Sequence, residues 1–284
     1  MRNLELLDSL SPEQIRAVFF DIDGTLVNRH YEISSQSRYA IAQLKQHNIA
    51  VSLATGRPYF GAATIASDLG VNSPSLFYAG AMIIEPHQET FLFSQVIEPE
   101  VLEMLVEEVL KQGLYCELYT QTDYYIDRAN HLADIHAEYL HRLPKIASFE
   151  QLIATQEILK VGFTVEREST QETALYETLA RFNTLQFATA SGASHPHLLW
   201  GSATHKNATR EKGFEVLMSL MNVSPEEVIA FGDGESDIPF LKLAGVGIAM
   251  GNSPKSVQDA ACIVTKSVDE DGVFDAISRL LRGK

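Results

Sequence analysis

Two aspartates separated by one residue, Asp21 and Asp23, follow an apolar run and precede Gly24. One carboxylate in such a pair can attack an electrophile while the other handles the proton that the reaction moves. Gly24 allows the backbone to turn away sharply after them. The alternative interpretation is an acidic turn, because Asp and Gly are ordinary turn residues. The spacing nevertheless favours a pair of reacting carboxylates at the end of a buried strand.

A second polar segment, Thr55-Gly56-Arg57, also follows an apolar run and is continued by Pro58. Proline often occupies the first position of a helix, and a hydroxyl with backbone N–H groups at a helix N-terminus can bind an anion. Thr55, Gly56 and Arg57 are therefore candidate substrate-binding residues. The alternatives are that Thr55 only caps the helix and that Arg57 only lies at the solvated rim.

A second pair of carboxylates, Asp233 and Asp237, comes after the apolar run at residues 228–231. Since the ends of parallel strands share one edge of a sheet, both are expected in the same crevice as Asp21. Hard oxygen ligands of this kind suit Mg²⁺. A calcium loop is the alternative, but the spacing lacks the alternation and distal glutamate of an EF-hand.

A cation is expected near the start of the helix at about residues 208–221, where it would pair with the attacking carboxylate and a transferring phosphoryl group. Counting forward from a strand at 198–200 favours Lys206, whereas counting back from the helix end favours Arg210, and Lys212 is a third candidate. We expect Lys206, because strand ends fix positions better than helix ends.

The elements that must position these residues alternate between strand and helix in two stretches of the sequence. Apolar runs and helical periodicity predict an α/β domain with a parallel sheet, formed by residues 1–84 and 201–284. Between them, residues 85–200 contain paired and alternating strands with helices, which predicts an inserted α+β domain. The insert is expected to close over the crevice and to select the leaving group.

The composition limits the classes of partner. Lys and Arg total 22 against 37 Asp and Glu, for a formal net charge of −15. Such a surface disfavours nucleic acid and anionic membrane as partners, but a bound cation can still bring an anionic ligand to the site. The two cysteines, Cys116 and Cys262, form neither a disulfide framework nor a metal-ligand spacing. No apolar run reaches the length of a membrane span, so we expect a cytoplasmic protein.

Together the motifs resemble the haloacid-dehalogenase (HAD) superfamily. They stand here as DIDGTL at Asp21, ATGRP around Thr55, a following cation, and GDGESD at Asp233. The long insert is similar to the type-IIB cap of Cof-like sugar-phosphate phosphatases. The resemblance implies a Rossmann-like core and a Mg²⁺-dependent phosphatase that acts on a small phosphorylated metabolite as a monomer or small homo-oligomer.

The resemblance also implies roles for single residues. Asp21 would be the nucleophile and a metal ligand, and Asp23 the general acid/base, with its backbone carbonyl on the metal. Asp233 would be a metal ligand, and Asp237 would support the metal site by holding its ligands or through water. Thr55 and the N–H of Gly56 would hold the phosphoryl oxygens.

Two positions depart from the family pattern: Ala79 and Ser236 stand where relatives usually have Asn. Ala79 lacks any hydrogen-bonding side chain, whereas Ser236 keeps a donor. The departures leave open a catalytically weak, phosphate-binding or regulatory protein. A phosphomutase and a receiver-like phospho-acceptor are further alternatives, although Asp23 disfavours the latter because an acid/base favours turnover over a lasting signal.

Overall fold

The computed structural model describes residues 2–190 and 195–282. The chain divides into two compact units, here called the core unit and the insert unit. The core unit comprises Met1–Arg57, Ala63–Leu92 and Arg210–Lys284, and the insert unit comprises Pro58–Ala62 and Phe93–Thr209. The sequence had predicted an insert of residues 85–200, without the segment Pro58–Ala62.

The described residues form the following strands and helices. The strands are β1 (Ala17–Phe20), β2 (Ala50–Leu53), β3 (Ser75–Phe77), β4 (Met82–Glu85), β5 (Thr90–Ser94), β6 (Tyr115–Tyr119), β7 (Tyr124–Ile126), β8 (Lys145–Ile146), β9 (Lys160–Glu166), β10 (Leu185–Ala190), β11 (Leu198–His205), β12 (Val228–Gly232), β13 (Val246–Ala249) and β14 (Ile263–Val264). The helices are α1 (Glu5–Ser9), α2 (Ser35–Gln46), α3 (Ala63–Leu69), α4 (Pro99–Lys111), α5 (His131–Leu140), α6 (Phe149–Thr155), α7 (Thr170–Leu179), α8 (Arg210–Met221), α9 (Ile238–Leu243), α10 (Lys255–Ala260) and α11 (Gly272–Leu280).

A parallel sheet of five strands, in the order β14-β13-β12-β1-β2, organises the core unit. All four residues of β1 are buried, as expected for a central parallel strand covered on both faces. Phe19 of β1 packs edge-on against Phe214 of α8, and Phe20 stacks on Phe231 of β12. These contacts fix β1 against the two elements that carry the other candidate site residues, β12 and α8.

The insert unit contains a six-stranded sheet in the order β10-β11-β9-β6-β7-β8. Its strand pairs are antiparallel except for β7 and β8. Alternate residues of β6 and β9, such as Leu118 and Phe163, pack in an apolar core with residues of α4, α6 and α7. The predicted fold class, a parallel α/β layer with an antiparallel α+β insert, is confirmed.

A separate three-stranded sheet, β3-β4-β5, follows α3 in the sequence. An isolated parallel bridge joins Ala54, just after β2, to Leu76 of β3. Among the helices of the described residues, none combines the length and the apolar character needed to span a membrane.

Three local predictions need correction. Strand β11 continues to His205 instead of ending at residue 200, because β9 and β10 pair with it on both sides. The helix predicted from Tyr59 is a 3₁₀ turn, Tyr59–Gly61, and α3 begins only at Ala63. Helices α6 and α10 went unpredicted, because helices of six or seven residues contain too few apolar positions for a clear periodicity.

Candidate active site

The position of Asp21 is fixed by the strand that precedes it. Its backbone N–H donates to the Phe231 carbonyl of β12 at 2.9 Å, which extends the pairing of β1 and β12 by one residue. The side chain is almost fully buried, at 5% exposure. An apolar strand thus places a buried carboxylate at the carboxyl end of the central strand β1, as the sequence predicted.

Arg210, the first residue of α8, is the cation beside Asp21. Its Nη1 and Nη2 donate to Asp21 Oδ1 at 3.1 and 3.2 Å, and Nη1 also donates to the Ala54 carbonyl at 3.0 Å. A further ion pair joins Nη1 to Asp237 Oδ1. Both Arg210 contacts to Asp21 use Oδ1, and among the described residues Oδ2 of Asp21 accepts no hydrogen bond.

The expectation that Lys206 is this cation is therefore corrected. Lys206 is exposed, belongs to the insert unit and directly follows β11. Its backbone N–H donates to the Thr184 carbonyl. The error arose because the strand was predicted to end at residue 200, whereas β11 continues to His205. Counting from residue 200 therefore placed the cation too early in the sequence. Lys212, the third candidate, is exposed on the first turn of α8.

The loop after β12 brings Asp233 and Asp237 together. Asp237 Oδ2 accepts the backbone N–H groups of Asp233 and Gly234, both at 2.9 Å. The other oxygen, Oδ1, pairs with Arg210 and lies 3.5 Å from the Ser236 hydroxyl. Asp237 thus shapes the loop that presents Asp233 and also anchors Arg210. Ser236 retains the hydrogen-bonding capacity that the family's Asn would supply at this position.

Asp21, Asp233 and Asp237 form a cluster that could hold a metal ion. Within the part of the chain that the structure describes, one carboxylate oxygen from each lies within 4.8 Å of the other two. Burial, followed by the charge of Asp237, raises the pKa of Asp21 well above its ordinary value despite the neighbouring Arg210. Burial and the charges of Asp237 and Asp23 likewise raise the pKa of Asp233 to about 7. The cluster has more negative charge than Arg210 neutralises, so these residues fit a divalent cation.

Asp23 is not one of the three carboxylates of that cluster. Arg57 holds it through two hydrogen bonds. Arg57 Nε donates to Asp23 Oδ2 at 2.7 Å, and Nη2 donates to Oδ1 at 2.5 Å. Arg57 is buried, whereas 45% of the Asp23 side chain is exposed. A fork of this kind fixes the plane of a carboxylate as well as its position. The structure thus shows the Arg57 side chain in contact with Asp23, and the predicted contact of Arg57 with substrate stays a prediction.

Thr55 and Gly56 lie just beyond β2 in a tightly bonded turn. The Thr55 N–H donates to the Leu76 carbonyl, the Thr55 carbonyl accepts from Ala79 N–H, and Thr55 Oγ accepts the Arg57 N–H at 3.2 Å. A Cβ at Gly56 would lie 3.8 Å from Arg210 Nη2, so the loop runs close to that guanidinium. Because α3 begins only at Ala63, the predicted α-helix N-terminus at Pro58 is absent.

Ala79 has a left-handed backbone, at φ 54° and ψ 25°, and Tyr78 before it has φ 53°. Their N–H groups donate to the Thr55 and Arg57 carbonyls, so this turn supports the Thr55 loop through its backbone. Asn adopts the left-handed region far more readily than Ala. Asn is therefore a residue that this backbone conformation favours, and Ala79 adopts the conformation at some cost to the turn.

The sequence analysis missed Asn252, which contacts Asp233 in the carboxylate cluster. Its Nδ2 donates to the Gly24 carbonyl at 2.9 Å and to Asp233 Oδ2 at 3.2 Å. Asn252 lies three residues after the end of β13, whereas Asp21 and Asp233 directly follow β1 and β12. A polar residue just past an apolar strand was the signal that would have identified it.

The insert unit contains a second group of buried polar residues, here called the Glu117 cluster. Glu117 of β6 is 1% exposed and accepts hydrogen bonds from the Tyr115 and Tyr119 hydroxyls, both at 2.5 Å. His136 of α5 contributes Nδ1 at 2.6 Å from Glu117 Oε2. Burial alone would raise the pKa of Glu117, but His136 and the two hydroxyls hold it below its ordinary value. The carboxylate is thus fully paired inside the fold.

Comparison with known proteins identifies the family. Residues 18–277 match the haloacid dehalogenase-like hydrolases. A hydrolase of that type from Bacteroides thetaiotaomicron is 26% identical, with a TM-score of 0.82, over 94% of this chain and 99% of that chain. The HAD subclass IIB sugar phosphatase BT4131 is 25% identical, with a TM-score of 0.78, over 94% and 99% of the two chains.

A sequence relative points to the same class of enzyme. The Bacillus subtilis 5-amino-6-(5-phospho-D-ribitylamino)uracil phosphatase YcsE is 27% identical over 263 residues, which cover 93% of this chain and 94% of the relative. With the family match spanning most of the sequence and with relatives that are named phosphatases, the chain belongs to the haloacid dehalogenase-like hydrolases, in their Cof-type group, and is a phosphatase.

Proposed function

We propose that this phosphatase is Mg²⁺-dependent and hydrolyses small phosphorylated metabolites through a covalent aspartyl phosphate on Asp21. The observation that carries the proposal is the meeting of Asp21, Asp233 and Asp237 oxygens within 4.8 Å, with Arg210 bonded to Asp21. A buried carboxylate with one unbonded oxygen, beside a cation and a candidate metal site, is suited to attack a phosphoryl group.

Asp21 and Asp233 would hold the Mg²⁺, with the Asp23 backbone carbonyl as a further ligand. Asp237 would support it through water and through the loop it shapes, because its two oxygens already accept hydrogen bonds from Arg210 and from two backbone N–H groups. When bound, the cation neutralises charge on the transferring phosphoryl group and on the carboxylates around it. The raised pKa values of Asp21 and Asp233 support a divalent cation here, since the cluster lacks positive charge without one.

In the first step, Asp21 Oδ2 attacks phosphorus and the bond from phosphorus to the leaving oxygen breaks. The electron pair stays on that oxygen, which takes a proton from Asp23. In the second step, ionised Asp23 takes a proton from water, the water oxygen attacks phosphorus, and the bond from phosphorus to Asp21 breaks. Free phosphate and the regenerated Asp21 carboxylate result. Thr55, the Gly56 N–H and Arg210 would bind the phosphoryl oxygens during both steps.

We infer that the substrate is a phosphomonoester of a sugar or a related polyhydroxylated compound. The name of BT4131 specifies a sugar phosphatase, and that of YcsE specifies a substrate with a phosphorylated ribityl chain. Both names describe a phosphate ester on a hydroxylated carbon chain. Selection among such esters is proposed to come from the insert, predicted as residues 85–200.

The proposal is tested by phosphate release from a panel of sugar phosphates, nucleotides, FMN and pyridoxal phosphate, with Mg²⁺ or with EDTA. We expect release from at least one sugar phosphate that EDTA abolishes. Absence of release across the panel, or an isomerised product without free phosphate, would overturn the proposal.

The covalent step is tested with a labelled aryl phosphate, whose leaving group needs no proton, and with the variant Asp23→Asn, which lacks the base for the second step. Asp23→Asn is expected to turn over slowly and to accumulate a hydroxylamine-sensitive acyl phosphate. The variant Asp21→Asn is the matched control and should accumulate none. An equal label on both variants would show that Asp21 is not the acceptor.

A further inference from the structure

Asn252 makes three hydrogen bonds that connect three loops of the core unit. Its Nδ2 donates to the Gly24 carbonyl at 2.9 Å and to Asp233 Oδ2 at 3.2 Å. Its Oδ1 accepts the Val268 N–H at 2.9 Å. The bond from Val268 fixes which end of the amide is the acceptor, so the NH₂ group must face Asp233 and Gly24.

The loops that Asn252 connects touch each other at the Asp233 carboxylate. Gly24 has φ +77°, and a Cβ built on it would lie 2.2 Å from Asp233 Oδ2. The Thr25 hydroxyl donates to the other oxygen, Oδ1, at 3.5 Å. The Asp233 carboxylate is therefore confined by the turn after Asp23 on one side and by the Asn252 amide at Oδ2.

We propose that Asn252 is a positioning residue that orients Asp233 and the Asp21–Gly24 loop for the metal ion. The inference rests on the proposed function, because it presupposes that Asp233 binds Mg²⁺. An amide suits this position, since it donates to a carboxylate without adding charge to a cluster that already has surplus negative charge. Partners that orient a metal ligand through hydrogen bonds typically affect metal affinity about 10-fold to 100-fold.

The test is a calorimetric titration of Mg²⁺ into the wild type and Asn252→Ala. We expect the variant to raise the Mg²⁺ Kd about 10-fold to 100-fold. At saturating Mg²⁺, its kcat should return to within a few-fold of the wild-type value. A role in fold stability alone would change urea unfolding of the metal-free protein without changing the Mg²⁺ Kd.

The matched control is Gln258→Ala. Gln258 Nε2 donates to the Ser253 carbonyl at 3.0 Å and to the Gly251 carbonyl at 3.4 Å, so it bonds the same loop through an amide. Neither of these bonds reaches Gly24 or Asp233, and the Mg²⁺ Kd of the variant should match that of the wild type. If Gln258→Ala lost as much Mg²⁺ affinity as Asn252→Ala, the inference would be overturned, because the order of the loop would then explain both losses.

A second variant, Val268→Pro, removes the N–H that anchors Asn252 and leaves the amide in place. Proline is tolerated here because Val268 is the first residue of a 3₁₀ turn. We expect a smaller loss of Mg²⁺ affinity than for Asn252→Ala. A Mg²⁺ Kd within twofold of the wild-type value for both variants would overturn the role of Asn252 and would leave the proposed metal dependence in place. Absence of Mg²⁺ binding by the wild type would instead overturn the proposed metal dependence and, with it, this inference.

Discussion

Each unit of this phosphatase buries a carboxylate, and the two carboxylates have opposite surroundings. Asp21 in the core unit lies near Asp233 and Asp237, with Arg210 as the cation bonded to it. Glu117 in the insert unit accepts from two tyrosine hydroxyls and from His136. The pKa of Asp21 is raised, first by burial and then by Asp237, whereas His136 and the hydroxyls outweigh burial and lower that of Glu117.

The two sites differ in charge compensation: the Asp21 cluster has surplus negative charge, whereas the Glu117 carboxylate has its partners within the fold. A buried anion is tolerated when hydrogen bonds and an opposite charge compensate for its lost hydration. The Glu117 cluster meets that condition with its own residues. The Asp21 cluster does not, and this deficit makes it suitable for a metal ion and a reactive anion. Burial of a carboxylate alone would not have distinguished the two.

The largest expected effect comes from Asp21→Asn. Loss of the attacking oxygen should reduce the phosphate-release rate by at least about 10⁴-fold. Because the charge on Asp21 is disfavoured, the same variant should unfold at a higher urea concentration than the wild type in EDTA at pH 8. An unchanged rate would refute the mechanism, and a lower metal-free stability would break the comparison of the two carboxylates.

The opposite result is expected in the insert unit for His136→Ala. This change removes the imidazole that bonds the buried Glu117 carboxylate and should lower the free energy of unfolding by about 3–5 kcal/mol. Urea unfolding in EDTA measures it. The control is His131→Ala on the same helix, where the exposed histidine should matter little. Equal effects of both variants would show that Glu117 does not depend on His136.

A smaller effect is expected for Arg57→Lys, which keeps the charge but loses the fork on Asp23. A catalytic group misplaced by about 1 Å can cost about 10²-fold, so kcat should fall by up to that factor with little change in KM. Arg38→Lys is a control, because Arg38 bonds the Ile33 carbonyl outside the site. A raised KM with unchanged kcat would support substrate contact by Arg57 and contradict a role on Asp23.

The smallest effect is a pH dependence of opposite sign in the two units. The pKa of Asp233 is about 7 in the folded protein against an ordinary 3.8, so the folded state binds the extra proton between those values. Stability from this group is therefore lost as pH rises towards 7. Glu117, with its lowered pKa, should contribute stability that is lost as pH falls below its ordinary range.

Urea unfolding in EDTA at pH 5 and pH 7.5 measures the effect for Asp233, and a further measurement below pH 4.5, the ordinary pKa of Glu117, measures the effect for that group. As the pH rises, the wild type should become less stable relative to Asp233→Asn. As the pH falls, the stability that Glu117→Gln lacks relative to the wild type should shrink. Parallel pH profiles for the wild type and Asp233→Asn would contradict the raised pKa.

The sequence was sufficient to place the carboxylates because continuous apolar runs precede Asp21 and Asp233. A run of that kind fixes both the central strand and the residue at its end. Their meeting then follows from parallel pairing of β1 with β12. The fold class and the family could be predicted for the same reason, although the metal and the single catalytic roles remain proposals.

Local patterns did not decide between Lys206 and Arg210, and they did not reveal the Glu117 cluster. The second half of β11 includes Gly201, Ser202 and Thr204, so its end at His205 has no apolar signature, and pairing with β9 and β10 determines it. Glu117 and His136 lie on different elements, β6 and α5. Only tertiary packing shows that they pair, since no spacing rule links a strand residue to a residue on the following helix.

The turn at Tyr78 and Ala79 has a consequence for variation within the family. Two consecutive residues with side chains adopt a conformation that each disfavours, directly beneath the Thr55 loop. Substitutions there should be filtered by what the main chain can adopt, so Gly and Asn fit while valine and isoleucine do not. The choice of residue at this position is therefore limited first by the conformation that the main chain must adopt.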